Sequence, residues 1–151
     1  MLIQFSVENF LSIKEKVVLS LLASKDNEHP NHLIADETNR YLKSAVIYGA
    51  NASGKSNVLN AFCFMVNYVL TSHNQQLHKT IARSPFKFDP ETPARPSSFE
   101  VIFTTKDIRY AYGFSVTDRA VTEEHLYYYP NGRKALIFER KTSKIFVLRW
   151  I

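Results

Sequence analysis

The last third of the chain alternates apolar and polar side chains so regularly that little other than an antiparallel sheet can form from it. Residues 98–105 set Phe99, Val101 and Phe103 on one side, and residues 108–117 do the same with Tyr110, Tyr112, Phe114 and Val116. Two-residue alternation puts one face of each strand against a core and the other toward water. Further runs over 121–129, 134–141 and 144–150 make five strands in about fifty residues, with Pro130–Asn131–Gly132 as a hairpin turn. Residues 98–150 are therefore read as an antiparallel meander.

Nearer the N-terminus, Ile3, Phe5 and Val7 alternate with Gln4, Ser6 and Glu8, and a second strand is predicted over 16–22. Residues 23–43 are polar and contain Pro30, which predicts a loop with one irregular turn. The run Ser44–Gly49 is almost wholly apolar and predicts a short strand buried in the middle of a parallel sheet. From Lys55 to about Leu70 the period becomes helical, with Val58, Phe62, Met65 and Val69 on one face and Leu59, Val66 and Leu70 beside it. A helix that is apolar around most of its circumference is expected to be buried. Four of the six prolines lie between Pro85 and Pro96, so residues 72–97 read as a Pro-rich insertion.

At 151 residues and 45% apolar, the chain has room for one domain with a real core. Cys63 is the only cysteine, which rules out an intramolecular disulfide and a cysteine zinc cluster and suits a reducing, cytoplasmic setting. The opening residues lack the basic-then-apolar order of a secretory leader, and the apolar stretch 61–70 is too short to span a bilayer, so no membrane partner is expected. The net charge of +5 is concentrated in residues 131–149, where Arg133, Lys134, Arg140, Lys141, Lys144 and Arg149 face one acid, Glu139. Such a strip attracts phosphate backbones, but a strand edge guarded by cations has the same composition and is the plainer account.

Between the apolar run and the helix, Gly49, Gly54, Lys55 and Ser56 satisfy GxxxxGKS, the phosphate-binding loop, in its required context. Glycines let consecutive backbone N–H groups curl around a polyphosphate, and the helix N-terminus adds positive dipole. Lys55 is placed to reach the terminal phosphates and the Ser56 hydroxyl to ligate Mg²⁺. The candidate cofactor-binding residues are Gly49, Ala50, Asn51, Ala52, Ser53, Gly54, Lys55, Ser56 and Asn57, with ATP and Mg²⁺ as cofactors and Ser56 as the metal ligand.

The full form Gly-Ala-Asn-Ala-Ser-Gly-Lys-Ser-Asn at 49–57 resembles the ABC-type ATPases of the SMC, Rad50 and RecF group. Within that group it is similar to the bacterial AAA15 or OLD-like ATPases often associated with phage defence. Asn51, Asn57 and the opening residues 3–21, with an Asn-Phe-x-Ser turn at Asn9–Ser12, carry the likeness. So does the segment 109–129, and together the likeness spans most of residues 1–141. Two positions depart from it. Leu11 stands where many relatives carry a basic residue, and Ala52 stands where many have glycine, so that a positive φ there carries strain.

The resemblance implies an α/β (α+β) P-loop NTPase fold: the first lobe of an ABC-type head, with the P-loop helix packed on mixed and antiparallel sheets. It also implies a homo-dimer or larger assembly through the nucleotide interface, an effector protein as partner, and a second lobe that this chain lacks. Hydrolysis in that group uses a strand ending in Asp-Glu, a signature loop and a late histidine, none identifiable in this sequence. Residues 135–138, four apolar side chains followed by Glu139, mimic the acidic strand without its aspartate, and the adjacent Glu123 and Glu124 read as a solvated or salt-bridged pair. The pairs His29/His32 and His73/His78 lie in polar loops without metal-ligand spacing.

The expected activity is ATP binding without efficient hydrolysis by this chain alone, catalytic residues being unassigned. The alternative is an interaction module, for a protein partner or nucleic acid, that keeps the loop for assembly. Its motivating feature is the basic strip. The run Tyr127–Tyr129 beside Arg133 and Lys134 could stack bases, but alternating burial, with Tyr128 opposite its neighbours, explains the tyrosines at least as well.

Overall fold

The structure is a computed structural model that describes residues 1–26, 28–35, 39–72, 80–141 and 144–147, the last four through their backbone alone. The elements in chain order are β1 (Leu2–Glu8), β2 (Val17–Ser20), β3 (Leu33–Ala35), β4 (Arg40–Leu42), α1 (Lys55–Thr71), β5 (Ser97–Thr105), β6 (Ile108–Val116), β7 (Val121–Tyr129), β8 (Ala135–Lys141) and β9 (Lys144–Val147). Seven strands form one antiparallel sheet in the order β2-β1-β5-β6-β7-β8-β9. Consecutive strands from β5 onward pair with their neighbours through short turns, as the alternation predicts. The β7–β8 turn places Asn131 at φ 52° and Gly132 at φ 75°, conformations that asparagine and glycine adopt readily.

One helix crosses one face of this sheet. Phe5, Val7, Phe99, Phe114 and Val116 from the strands close over Ala61 and Met65 of α1, with Val58, Phe62, Phe64 and Tyr68 packed around them. Ring pairs tie the layers together: Phe5 meets Phe62 edge-on at 5.2 Å, and Phe64 and Tyr68 each lie 5.1 Å from a sheet phenylalanine, Phe99 and Phe114. Each such ring contributes about 0.5–1.5 kcal/mol beyond its buried area.

Three sequence expectations are corrected. Residues 44–49 form no strand; Val46 and Tyr48 are 84% and 91% exposed, and the parallel, mixed sheet expected around them is not formed among the described residues. An extended apolar segment becomes a strand only where a neighbour satisfies its N–H and C=O groups, and the sheet edges β2 and β9 do not pair with it. The helix is buried on one side only, since Leu59, Val66, Val69 and Leu70 are exposed. Residues 23–43 hold the expected turn at Pro30–His32 but also a small hairpin, β3 with β4, anchored by the buried Tyr41. Its three-residue strands are too short for alternation to declare them.

The basic strip is dispersed. Lys134 lies over the Tyr127 ring, Arg140 pairs with Glu124 at 2.8 Å and Lys141 with Glu139 at 3.2 Å, while the side chains of Lys144 and Arg149 lie outside the described residues.

The opposite face of the sheet is polar. One transverse row runs Ser6–Glu100–Gly113–His125–Glu139, and His125 Nε2 reaches across Gly113 to within 3.5 Å of Glu100 Oε2. Glycine is required there for space: a Cβ would lie 2.7 Å from His125 Cε1 and 3.0 Å from the Phe99 carbonyl oxygen. Gly113→Ala is expected to cost roughly 1–3 kcal/mol, measured as a lower midpoint in urea. The His125 contact, with some opposing desolvation, holds the Glu100 carboxyl below its ordinary value of 4.5. A carboxylate depressed in the folded state stabilises above its unfolded pKa and loses that contribution as the pH falls. The melting difference between the natural chain and Glu100→Gln should therefore shrink progressively below pH 4.5.

Candidate phosphate-binding loop and its cleft

The site is built where the end of β1 meets the start of α1. After β1 the chain turns sharply: Asn9 at φ 53° and Leu11 at φ 52° bend it back, and Phe10 and Ile13 exchange backbone hydrogen bonds of 2.9 Å. Asn9 is 1% exposed and anchors this turn to residues 86–96. Its Nδ2 donates to the carbonyls of Thr92, Arg95 and Pro96, and its Oδ1 accepts from Phe86 N at 3.0 Å. Leu11 N donates to the Ser84 carbonyl at 2.7 Å.

The anchored turn presents Ser12 to the glycine loop. Asn57 Nδ2, in the first turn of α1, donates to Ser12 Oγ at 2.7 Å. Gly54 stands at the helix start with φ 91°, and a Cβ on it would meet Ser12 Oγ at 3.0 Å, so both conformation and space favour glycine there. Ala52 has φ 60°, a left-handed conformation that carries strain for an alanine. No side chain caps α1, which leaves its leading N–H groups for an anion.

Lys55 folds back into the loop, where its Nζ donates to the carbonyls of Gly49 at 2.9 Å and Ala50 at 2.7 Å. Asn51, Ser53 and Ser56 are exposed, and Asn57 is turned toward Ser12. Beside the loop opens a cleft of about 380 Å³ lined by Ser12, Lys16, Tyr48, Ser53, Gly54 and Lys55, within the range of small-ligand sites. Lys14, at its rim, is held by Asp89 at 2.8 Å, and that hydrogen bond raises the ammonium's pKa and lowers the carboxyl's.

The residues fit a polyphosphate: two glycines whose added Cβ atoms would crowd Ser12 and Ser53, an uncapped helix start and an ammonium on the same loop. The Ser56 hydroxyl is exposed beside the loop, and no cluster of three metal-ligating side chains occurs among the described residues, including His29 and His32, which stack on one another. His73 and His78 lie outside the described residues.

The other sequence candidates are structural. Glu124 accepts from Tyr112 Oη at 2.8 Å and pairs with Arg140, an arrangement whose burial raises the Tyr112 phenol, with the hydrogen bond to Glu124 acting in the same direction. Glu139 belongs to the plain strand β8. Sequence reasoning missed Arg83, whose side chain is buried and donates to Asp118, Ser97 and the carbonyls of Pro93 and Arg95. No periodic signal marks a lone arginine among prolines.

A glycine-rich GKS loop at the head of a helix packed on an α+β core defines a nucleotide-binding class of domain. Within that class, residues 44–151 match the family described as "AAA domain, putative AbiEii toxin, Type IV TA system", and the chain belongs to it. ATP binding with Mg²⁺ is the general chemistry of such AAA domains. No curated protein matches the sequence. Among the described residues, no helix is long and apolar enough to cross a membrane.

Proposed function

We propose that the chain is the ATP-binding lobe of an ABC/SMC-like ATPase of the AAA15 type linked to anti-phage defence, acting in the cytoplasm. The observation that supports this best is the loop itself: Gly54 in a left-handed conformation, an uncapped helix behind it, and the Lys55 ammonium drawn onto the Gly49 and Ala50 carbonyls. A triphosphate would take over that ammonium, exchanging two carbonyl contacts for charge-assisted bonds. The exposed Ser56 hydroxyl would hold Mg²⁺, which supplies neutralisation of phosphate charge when bound. The anchored turn keeps Ser12 and Asn57 together beneath the loop, so the cradle is positioned before ligand arrives.

Glu15 is a carboxylate that lines the cleft, and turnover is assigned to groups brought by assembly around the nucleotide or by an effector protein. Isothermal titration calorimetry with Mg·ATP tests the reading. Saturable heat with one site per chain supports it; a folded sample giving no heat ends it.

A further inference from the structure

We propose that the end of the sheet farthest from the glycine loop, on the face opposite α1, binds single-stranded nucleic acid. Three ring residues stand along β7 on that face: His125, Tyr127 and Tyr129, two residues apart, with the His125 and Tyr127 centroids separated by 5.0 Å. Two cations cover the tyrosines. Lys134 Nζ lies 3.6 Å from the Tyr127 centroid, and the guanidinium of Arg109, the cross-strand partner of Tyr129, lies 4.2 Å above that ring. The adjoining turns add the exposed Lys106 and Arg133, so among the described side chains four cations meet one carboxylate, Asp107, at this end.

On the same face Glu100 and Glu139 share the row of His125, four residues or ~14 Å along the strands from Tyr129, and Glu123 stands two residues beyond it. An anionic polymer is thereby directed past His125 to the end that carries Tyr127 and Tyr129. Aromatic rings beside cations suit exposed bases on a phosphate chain, since every base offers a π-face to a ring. Lys134, at the end of a flexible stem, can leave Tyr127 for a phosphate as a base stacks in its place, while the flat Arg109 guanidinium itself offers a stacking surface on Tyr129. A duplex would leave the rings without partners, and an acidic peptide would satisfy the cations alone.

The site is independent of the nucleotide reading, lying a strand length, ~25 Å, from the end of β1 that leads to the loop. Fluorescence anisotropy of the full chain with a short labelled oligothymidylate and a mixed-sequence RNA, titrated across salt, tests it. Binding should weaken with salt at a log–log slope of about −2 to −3, for three or four phosphate contacts. Arg109→Glu with Lys134→Glu should lose more than about tenfold in affinity and flatten that slope. Tyr127→Leu with Tyr129→Leu should lose about tenfold with the slope kept, and Lys55→Ala should change nothing. Absence of binding at low salt, indifference to the charge reversal in a variant that melts like the natural chain, or equal affinity for duplex or polyglutamate would overturn the proposal.

Discussion

Lys55→Ala is expected to reduce Mg·ATP affinity by about a hundredfold or more, beyond detection if the natural affinity is only micromolar. The ammonium already lies inside the loop, within 2.7–2.9 Å of two of its carbonyl groups, and no other cation is joined to those carbonyls in the described contacts. Hydrogen bonds involving a charged partner contribute about 1.5–3 kcal/mol each, so losing two at the phosphates accounts for the size of the effect. The contacts are exposed, so folding should be untouched, with an unfolding free energy within about 0.5 kcal/mol of the natural chain. Calorimetry on both proteins, with a melting curve as control, separates the outcomes. An alanine variant that binds ATP as tightly as its parent would mean that the loop holds something else.

Asn9→Ala is expected to have the largest effect on stability, about 3–5 kcal/mol out of the roughly 5–15 kcal/mol typical of a domain. One carboxamide bonds three carbonyls and one amide, all brought there by residues 86–96. Alanine would strip this partner from the Phe86 amide and the Pro96 carbonyl, while the Thr92 and Arg95 carbonyls would keep one donor each, Arg95 N and Arg83. The backbone adds to the loss, since φ 53° is tolerated by asparagine and costs alanine about 1 kcal/mol more. Asn9→Asp tests the cause: it keeps the acceptor for Phe86 N but aims a carboxylate at three carbonyl oxygens, and should be no better than alanine. Urea unfolding gives the number; a loss under about 0.5 kcal/mol for both variants would show that the turn is held by other means.

The contrast between strands and loop shows what the sequence could express. Phe99, Val101 and Phe103 declared β5 because their own alternation is the whole signal, and β6, β7 and β8 followed to within about a residue. The run at 44–49 carries the same apolar chemistry, but strand formation there depends on a neighbour, which no local pattern can report. The helix was misjudged for a related reason: composition gives the apolar circumference, whereas burial depends on how many layers enclose it. In the site, GxxxxGKS was legible because backbone conformation dictates its residues. The Asn57–Ser12 contact joins positions forty-five residues apart, and the four bonds of Asn9 depend on a proline-rich stretch with no period of its own.

Cys63 lies on the exposed side of α1, and it is the sole thiol of the chain. A maleimide dye would therefore attach at one known place, two turns into the helix that begins at the glycine loop. Any surface that settles over this side of α1, whether another copy or a different protein, would shield the sulfur from alkylation. The labelling rate, followed with and without nucleotide, thus records assembly without any substitution in the chain.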